Sequence, residues 1–528
     1  MNKSVNTSKL SKLIDIGISL SKEKNINILL EKILNEARLI SNSDGGTLYL
    51  MTNDNKKLSF EIMQTESLQI KFGGSSDPVP ESIYPVKLFN EDGSKNLNNV
   101  SAVCALKSKT INIKDAYDNN EYDFSGVKGF DKKHNYHSKS FLNVPLKDHK
   151  NKVIGVLQLL NAKKDDKIIS FSDDLVELVE ALSSQASVAL TNQLLIEEQK
   201  TLFRSFIKLV VDALDKKDPV TGGHCNRVPL ISMMIAEYIN SDTNDKYKDF
   251  SFSEDEMDEL FVAAWLHDFG KVATPDHIMN KSTKLQGLYD KIDHIKLRFE
   301  ILKRDIELDI YKKQINKSDT DIDALNIKLN KVNEEFKFLE QSNIGGEFMS
   351  DELKEKVREI AKHEISIDDN TESILSDSDV DFLTISKGTL SEEDRKIMEN
   401  HVSLSYELLD KLSYPDHLKE VPYIAGCHHE KLNGEGYPNG YTADQLPLQA
   451  RIIAIADVFE GLTAPDRPYK KPYKLSKALG ILKFMVKDNE IDPDLFKLMI
   501  SKKLYLKYAK EHLLPQQIDS IDEKELLC

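Results

Sequence analysis

The sequence predicts a multidomain α+β protein: an N-terminal α/β module, a long connecting helix, and an all-α helical bundle that carries an inserted helical hairpin. Three observations predict this fold class. Short β-like runs separated by turn residues fill the first ~200 positions. Apolar residues then repeat every seven positions after residue 172. Apolar residues at spacings of three and four dominate residues 207–285 and 389–515.

Length and composition limit the function classes. A chain of 528 residues has room for roughly three domains. The 71 Lys and Arg residues against 87 Asp and Glu give a net charge of −16, which argues against a protein that coats DNA. No apolar run approaches the ~18–20 residues of a membrane span, and the N-terminus lacks a signal-peptide core. The four cysteines form no CxxC pair, so we expect no disulfide framework and a cytoplasmic location.

The predicted N-terminal module begins with a helix and continues with short strands. Residues 8–40 carry apolar side chains at helical spacing, as at Leu29, Leu30, Ile33 and Leu34. Gly, Asn, Asp and Lys occupy the turns between the β-like runs that follow. These runs are GTLYLMT, KLSFEIM, KTINI, FLNVPL and VIGVLQLL, which start at Gly46, Lys57, Lys109, Phe141 and Val153. The pattern is typical of an α/β domain.

A long connecting helix is predicted over residues 172–214. Ser172 is suited to cap it, and Asp173 and Asp174 favour the positive end of a helix dipole. No Pro or Gly interrupts this stretch, and one apolar line recurs every seven residues, like one line of a coiled-coil seam. That line is Leu175, Leu182, Ala189, Ile196, Phe203 and Val210. We expect a continuous signalling helix that pairs in a homodimer; two packed helices with a break near residues 197–200 are the alternative.

The N-terminal module resembles a GAF sensory domain. The resemblance rests on the stretch SFLNVPLKDHKNKVIGVLQLLNAK, on the sequence FSDD from Phe171 and on the helix ELVEALSSQASVAL, and it covers residues 15–195. It implies an antiparallel sheet with helices in a domain over residues 1–195. It also implies a sensory role, because GAF domains bind small ligands such as cyclic nucleotides, tetrapyrroles or metabolites, and many only dimerise.

Four residues of this module resemble part of the signature of GAF domains that bind cyclic nucleotides. They are Asn161, Lys163, Phe171 and Asp174. Ala162 separates the Asn from the Lys, and Leu175 stands where the final Glu of the signature would be. The other interpretation is that these side chains pin a loop to the fold. No Cys-His pair is placed to attach a bilin, and Cys104 is expected to be a small core residue.

The C-terminal part carries histidines and aspartates in conspicuous local settings. Neutral imidazole and carboxylate are the usual ligands of first-row divalent metals. A set without thiolates, with one Asp able to bridge, suits two metals that activate a water and clamp a phosphoryl group. The set comprises His224, His267, Asp268, His401, His428, His429 and Asp457. Each residue alone is weak evidence, but their joint occurrence predicts a two-metal hydrolytic site.

The order of these residues, with Gly436-Tyr437-Pro438 after the paired histidines, resembles the HD-GYP family of metal-dependent phosphodiesterases. The matching segments are LHDFGK, HHEKLNGEGYPNG, AIADVFEGLT and RPYK, and the resemblance covers residues 207–285 and 387–500. It implies an HD-GYP phosphodiesterase domain over residues 207–515. It also implies that the seven residues bind divalent metal ions, Fe or Mn, and that Asp268 bridges two of them.

The resemblance further implies roles for residues around the metals. A water activated by the two ions would attack the phosphorus of a cyclic dinucleotide. Lys271 would face the phosphate or the leaving oxygen, as general acid or charge stabiliser. Arg467 and Lys470 would hold phosphate oxygens, and Tyr437 would line the substrate pocket. The alternatives are a solvated surface lysine at position 271 and a purely structural role for the tyrosine.

Further expectations concern residues near the expected ligands. Family members with a third metal carry a Glu four residues before the first His; Val220 stands there and cannot ligate, so we expect a binuclear centre. The linear dinucleotide is then a hypothetical stopping point of the reaction. Cys225 and Cys427 adjoin ligands and are expected to be small packing residues, with oxidation sensitivity as the alternative. Glu430 is expected either to accept a hydrogen bond from a ligand imidazole or to be a surface residue.

An insertion over residues 286–388 separates the HD motif from His401. Two apolar stripes with a polar turn, INKSDTD, between them predict an antiparallel helical hairpin. The stripes are Ile292, Ile295, Phe299, Leu302 and Ile306, then Ile322, Leu325, Leu329, Val332, Phe336 and Leu339. A more acidic segment over residues 349–385 returns the chain to the bundle. The insertion is either a decoration that packs on itself or a lid or partner arm that gates the metal site.

The sequence thus predicts a GAF sensor that regulates a phosphodiesterase. The expected reaction is hydrolysis of cyclic di-GMP to pGpG, with further cleavage to GMP left open, and hybrid 3',3'-cyclic GMP-AMP is the alternative substrate. An alternative of another class is a non-catalytic receptor or scaffold, against which the intact ligands, Lys271 and the GYP loop argue. A nucleotide triphosphohydrolase is disfavoured by the GYP and paired-histidine motifs. The expected partners are the dinucleotide, a small GAF ligand and a second copy, but neither DNA nor a membrane.

Overall fold

The structure, a computed structural model, divides into two compact units, Met1–Ser205 and Phe206–Cys528. It describes residues 13–165, 167–217, 223–242, 246–315, 322–346, 348–367, 370–465 and 472–527. Within these residues, no helix combines the length and apolarity needed to cross a membrane. The domain boundaries expected from the sequence remain predictions.

The first unit contains one antiparallel sheet. Its strands are β1 (Ser43–Met51), β2 (Lys57–Thr65), β3 (Ile70–Gly73), β4 (Val86–Lys87), β5 (Ile111–Ile113), β6 (Phe141–Lys147), β7 (Val153–Lys164) and β8 (Lys167–Ile169). The strand order is β3-β2-β1-β7-β6-β5, with β4 paired to β2 and β8 to β7. Its helices are α1 (13–22), α2 (Ile26–Ser41), α3 (Val100–Lys107) and α4 (Ser125–His134). The sheet and helices confirm the predicted fold class.

Alternate residues of the central strands point to opposite faces of the sheet, and both faces are buried. Leu48 and Leu157 lie in a core cluster with residues of α2. Tyr49 and Val156 lie in a second cluster with Cys104 of α3. Burial raises the pKa of the Cys104 thiol to about 12, so this cysteine is the core residue that the sequence predicted.

The residues that resemble the cyclic-nucleotide signature hold loops to this sheet. Asn161 is fully buried, and its Oδ1 accepts hydrogen bonds from two backbone N–H groups of a preceding loop at 2.7 and 3.2 Å. Lys163 forms an ion pair with the buried Asp44. Phe171 lies in the core, and Asp174 is exposed. These contacts support the loop-pinning interpretation.

The connecting helix α5 (Asp173–Lys217) has no break near residues 197–200. Two residues of the predicted heptad line, Leu182 and Ala189, are buried in the core of the first unit. A second apolar line with the same spacing lies one residue earlier and is open to solvent. Its members Val188, Leu195, Leu202 and Leu209 are 59%, 49%, 71% and 66% exposed. The predicted line is therefore covered at Leu182 and Ala189 but 43% exposed at Ile196, whereas the second line is exposed at all four of these positions.

The second unit is helical apart from one small β-hairpin among its described residues. Its helices are α6 (His224–Ser241), α7 (Glu254–Leu266), α8 (Asp276–Met279), α9 (Ile292–Ile315), α10 (Ile322–Asn343), α11 (Asp351–Ala361), α12 (Asp377–Leu383), α13 (Glu392–Asp410), α14 (Val421–Ala425), α15 (Leu448–Thr463), α16 (Leu475–Lys487), α17 (Pro493–Ser501), α18 (Leu504–His512) and α19 (Glu523–Leu527). The hairpin pairs β9 (Glu364–Ile367) with β10 (Asn370–Ser373). Capping boxes at Ser253 and Ser391 fix the starts of α7 and α13.

The insertion has a hydrophobic core of its own. α9 and α10 pack antiparallel, with the ring centres of Phe299 and Phe336 5.4 Å apart, as the two stripes predict. α11, the β9–β10 hairpin and α12 complete it, so it is more than a helical hairpin. The buried members of this core, among them Ile295, Val332 and Val357, all lie between residues 285 and 383. This supports the interpretation of a part that packs on itself.

Lys284 closes the neck of the insertion. Its side chain is buried, and Nζ donates to the carbonyl oxygens of Leu383 and Ile385, both at 2.9 Å. Burial, with the charge of Lys354 nearby, lowers the pKa of Lys284 to about 8. The two ends of the insertion are thus joined by a lysine whose charged form is disfavoured by its surroundings.

Lys284→Met is expected to change how stability depends on pH. The wild-type lysine holds its proton less tightly when folded, so the free energy of unfolding rises between pH about 8 and the unfolded pKa. The rise is at most on the order of 3 kcal/mol, since the pKa falls from 10.5 to about 8 and one pKa unit is ~1.4 kcal/mol. Urea unfolding near pH 7 and near pH 10 should show a variant-minus-wild-type difference that decreases as pH rises. The exposed Lys411→Met is the control, and an unchanged difference would contradict the expectation.

Candidate metal centre

The second unit brings the seven predicted ligand residues together. The start of α6 supplies His224, the end of α7 and the turn after it supply His267 and Asp268, α13 supplies His401, the segment after α14 supplies His428 and His429, and α15 supplies Asp457. Five of the side chains are buried, whereas His429 and Asp457 are half-buried. Residues far apart in the chain therefore converge on one place.

Three of the imidazoles are oriented by backbone carbonyls. In each of them Nδ1 donates a hydrogen bond to the carbonyl oxygen three residues earlier, because a carbonyl oxygen only accepts. These bonds join His267 to Ala264 at 2.7 Å, His401 to Met398 at 2.6 Å and His428 to Ala425 at 2.7 Å. Nε2 then carries the free lone pair, and this is the tautomer that binds a metal ion through Nε2.

The carboxylate of Asp268 lies between two sets of imidazoles. Its Oδ2 is 3.5 Å from Nε2 of His224 and 3.4 Å from Nε2 of His267. Its Oδ1 is 3.2 Å from Nε2 of His401 and 3.8 Å from Nε2 of His428. The two oxygens of one side chain thus face different sets of ligand atoms, as a carboxylate that bridges two ions requires.

Asp457 also contacts both sets. Its Oδ1 is 3.1 Å from Nε2 of His224 and 3.9 Å from Nε2 of His267, and its Oδ2 is 4.0 Å from Nδ1 of His429. Among the described residues, two groups have ligand atoms within 4.8 Å of one another: His401, His428 and His429, and His224, His267 and Asp268. Each group offers at least three ligand atoms in a volume that one ion can fill.

The donor atoms fit divalent cations in both groups. Nε2 of His401 and Nε2 of His428 are buried and have no hydrogen-bond partner among the described residues. Leaving such atoms unsatisfied is costly, and a cation held by them removes the cost. The groups combine imidazole nitrogen and carboxylate oxygen, a donor set that suits Mn, Fe or Zn.

Charges in the site favour the forms that ligate metals. Burial lowers the pKa of His429 to about 4 and holds the pKa of His428 well below its usual value, as it lowers that of His267. Burial alone would raise the pKa of Asp268, but Lys271 and the nearby imidazoles hold it well below its usual range. The lowered pKa values favour neutral imidazoles at His267, His428 and His429, and the lowered pKa of Asp268 favours an ionised carboxylate, which are the forms that bind a metal ion.

Lys271 is packed against this centre. Its side chain is 17% exposed, and Nζ lies 2.6 Å from Oδ2 of Asp268. Burial alone would lower the pKa of Lys271, but Asp268 raises it above the usual value. The alternative of a solvated surface lysine is therefore wrong.

Glu430 neither holds a ligand imidazole nor lies on the surface. It is buried, and its carboxylate accepts hydrogen bonds from the backbone N–H groups of Asn439 at 2.7 Å and Tyr441 at 2.9 Å. Both N–H groups belong to the segment after the GYP motif. Both expectations from the sequence were wrong, because the carboxylate turns toward this loop and fixes its shape.

The GYP loop packs beside the paired histidines. The ring centres of Tyr437 and His429 are 4.9 Å apart, with Tyr437 half-buried and Pro438 exposed. A Cβ on Gly436 would lie 2.3 Å from the backbone nitrogen of Lys431, so only glycine fits there. The position of Tyr437 agrees with both interpretations, pocket lining and loop packing.

Glu460 is a buried residue of the site that the motifs did not predict. It lies one turn after Asp457 on α15, accepts a hydrogen bond from Nδ1 of His224, and accepts another from Nε of Arg227 at 2.6 Å. Burial alone would lower the pKa of His224, but Asp268, Asp457 and Glu460 raise it well above the usual value. The three-residue spacing from Asp457 was the available signal, because such residues share a helix face.

Several expectations fall outside the described residues or concern packing. Arg467, Lys470 and Val220 lie outside the part of the chain that the structure describes. Cys225 and Cys427 are buried free thiols, and burial raises the pKa of Cys427 to about 12. Their burial agrees with a packing role.

Comparisons with known proteins match this architecture. The family model for the GAF domain matches residues 25–190, and two family models for the HD domain match residues 221–362 and 380–495. Fold and site together define a GAF domain followed by an HD domain with two possible metal-binding groups. The GYP loop lies within the second of the two HD-domain matches, after the paired histidines.

Two curated relatives and one solved structure illustrate these similarities. A 3'3'-cGAMP-specific phosphodiesterase of Vibrio cholerae is 38% identical over 109 residues, which are 21% of this chain and 23% of the relative. A cyclic di-GMP phosphodiesterase response regulator of Xanthomonas campestris is 38% identical over 102 residues, 19% of this chain and 26% of the relative. The third is the solved structure of the GAF domain from an Acinetobacter phosphoenolpyruvate-protein phosphotransferase. The match covers 36% of this chain and 98% of the solved chain, at 16% identity and a TM-score of 0.27. The chain thus spans about a quarter of the two curated relatives.

Proposed function

We propose that the second unit is a metal-dependent phosphodiesterase that hydrolyses cyclic dinucleotides. The observation that carries the proposal is the Asp268 carboxylate, whose two oxygens face separate sets of imidazoles. Two divalent ions held close together can activate a water and hold a phosphoryl group during in-line displacement. The two curated relatives are named for phosphodiesterase activity on cyclic di-GMP and cGAMP, which supports the same substrate class here.

In this proposal the ligands form two sets that share Asp268. The first set is His224, His267, Asp457 and Oδ2 of Asp268; the second set is His401, His428, His429 and Oδ1 of Asp268. Fe or Mn is the proposed metal, because both accept mixed imidazole and carboxylate ligands. Val220 at the position of a third-metal ligand favours a binuclear centre.

Residues around the ions would bind and orient the substrate. When bound, the two ions supply an activated water as the nucleophile. Lys271, with Nζ 2.6 Å from Asp268, is close enough to the centre to stabilise developing charge or to protonate the leaving oxygen. Tyr437 would line the pocket next to His429, and Arg467 and Lys470 would hold phosphate oxygens.

The proposed substrate is cyclic di-GMP, which would be opened to linear pGpG. Hybrid 3',3'-cyclic GMP-AMP is the alternative, and the cGAMP-specific relative supports it as strongly as the cyclic di-GMP relative supports the first. Cleavage of the second phosphodiester bond would give GMP. A centre without a third ion favours release of the linear product.

Turnover by the purified full chain tests this proposal. Protein loaded anaerobically with Fe(II) or Mn(II) is mixed with cyclic di-GMP or with 3',3'-cyclic GMP-AMP, and the products are separated by chromatography. Accumulation of pGpG is expected, and faster cleavage of the hybrid would reverse the substrate preference. Binding without turnover at full metal occupancy would instead support a receptor.

We propose that the chain forms a homodimer along α5. Val188, Leu195, Leu202 and Leu209 repeat every seven residues on one exposed line, and a partner helix in a coiled coil covers such a line. A second copy presents the same line. Because α5 begins in the first unit and ends in the second, it is the proposed route by which a GAF ligand regulates hydrolysis.

Replacing Leu195 and Leu202 together by Arg is expected to convert the dimer into a monomer, because each change places a charge in the apolar seam. Size-exclusion chromatography with light scattering measures the mass. Leu39→Arg with Leu97→Arg is the matched control, since these leucines are 67% and 49% exposed but lie outside α5. A monomeric wild type, or a dimeric α5 variant, would contradict the proposed seam.

We also propose a cytoplasmic location. Cys104, Cys225 and Cys427 are buried thiols rather than disulfides, as is usual in a reducing compartment. Fractionation of the host cell with an antibody against the chain tests the location directly.

A further inference from the structure

Ser405 joins the helix that carries His401 to the turn that carries Asp268. It lies one helical turn after His401 on α13 and is fully buried. Its Oγ accepts a hydrogen bond from the backbone N–H of Gly270 at 2.7 Å and donates one to the carbonyl oxygen of His267 at 3.0 Å. The hydroxyl thus holds the backbone on both sides of Asp268.

The turn and α13 approach each other most closely at Gly270. A Cβ on this glycine would lie 1.9 Å from the carbonyl oxygen of His401 and 2.6 Å from the backbone nitrogen of Ser405. Close packing alone brings the turn and α13 together but does not fix their position along each other. Hydrogen bonds are directional and therefore fix that position. The Ser405 hydroxyl supplies two hydrogen bonds at this contact.

We propose that Ser405 is a positioning residue for the binuclear centre, and this inference rests on the proposed function. The 3.2 Å separation between Oδ1 of Asp268 and Nε2 of His401 crosses the contact that Ser405 bridges. By contrast, His267 and Asp268 are neighbours in the chain, so their relative position depends less on the serine. Ser405 therefore acts on the second set of ligands, at His401, His428 and His429.

Ser405→Ala is expected to weaken the binding of the metal ion by the second set of ligands, and to leave the binding of the other ion unchanged. The change removes one oxygen and adds no bulk, so it frees the register without altering any ligand. Loss of a group that orients a metal ligand typically weakens metal affinity about 10–100-fold, and we expect a value in that range. Saturating Mn(II) should restore turnover, because the ligands themselves are intact.

Mn(II) titration of the metal-free full chain, followed by electron paramagnetic resonance, tests the inference. The wild type should bind two Mn(II) and show the exchange-coupled signal of a bridged pair. Ser405→Ala should bind one ion normally and the other roughly 10–100-fold more weakly. Ser232→Ala is the matched control, because the Ser232 hydroxyl is buried without a hydrogen-bond partner among the described residues.

The outcomes separate the inference from the proposed function. A wild type that binds fewer than two Mn(II) overturns the binuclear centre and the inference together. Two ions of wild-type affinity in Ser405→Ala, or equal weakening of both, overturns the positioning role alone. If the alanine variant does not fold by circular dichroism, Ser405→Cys keeps a weaker donor and acceptor. It should weaken the same ion less, and wild-type binding in Ser405→Cys would overturn the role.

Discussion

Asp268→Asn is expected to lower phosphodiesterase turnover by more than about a hundredfold, the upper end of what loss of an outer partner of a metal ligand costs. In the wild type, Oδ2 of Asp268 faces His224 and His267. Oδ1 of the same side chain faces His401 and His428. The Asn side chain keeps the shape but replaces one oxygen by an NH₂ group, which donates and cannot ligate. One substitution therefore weakens both metal sites, whereas loss of one imidazole weakens one.

Three measurements on the Asp268→Asn variant check this expectation. Its kcat/KM with the cyclic dinucleotide should fall at saturating Mn(II), and its metal content after desalting should be below two ions. The rise in Tm that Mn(II) gives the wild type should also shrink, because an ion stabilises only a folded state that binds it. Asp416→Asn, at an exposed aspartate paired with Lys419 in the same unit, is the control. If the variant retained two ions and most of the wild-type turnover, the proposed bridging role of Asp268 would be wrong.

The sequence predicted the candidate ligands but not the side chains that hold them. His267 and Asp268 lie in a short local motif, LHDFGK, and such motifs can be recognised from the sequence alone. Glu460 meets His224 across 236 residues, and Ser405 meets the carbonyl of His267 across 138 residues. No local spacing indicates which faces of two distant helices oppose each other, so these contacts could not be predicted.

The spacing of apolar residues predicted where helices form better than it predicted what each helix packs against. Regular apolar spacing is a local property of the sequence, and it correctly predicted α5, α9 and α10. On α5 two apolar lines share the seven-residue repeat, and the core of the first unit covers Leu182 and Ala189 while Val188 and Leu195 stay exposed. That choice depends on how the sheet packs. The four-residue strand β10 is polar and exposed, and β9 contains only two apolar residues, Ile365 and Ile367, so neither strand has an alternation long enough to detect.

Glu460→Gln is expected to weaken metal binding and to lower stability, although Glu460 is not a proposed ligand. Its carboxylate accepts hydrogen bonds from Nδ1 of His224 and from Nε of Arg227. A Gln side chain offers one acceptor oxygen and one NH₂ donor, so one of these two donors would face another donor. We expect roughly 10–100-fold weaker binding of the ion at the His224 set. The metal-free protein should lose about 1–3 kcal/mol of its free energy of unfolding.

The same Mn(II) titration, with urea unfolding of the metal-free protein, checks Glu460→Gln. Glu407→Gln is the matched control: Glu407 pairs with Lys411 on the exposed surface of α13, and exposed pairs contribute little. Glu460 orients His224, whereas Ser405 bridges toward His401, so the two variants should weaken different ions. A double variant should then weaken the binding of both ions. If Glu460→Gln and Ser405→Ala weakened the same ion, the division of the ligands into two sets around Asp268 would be wrong.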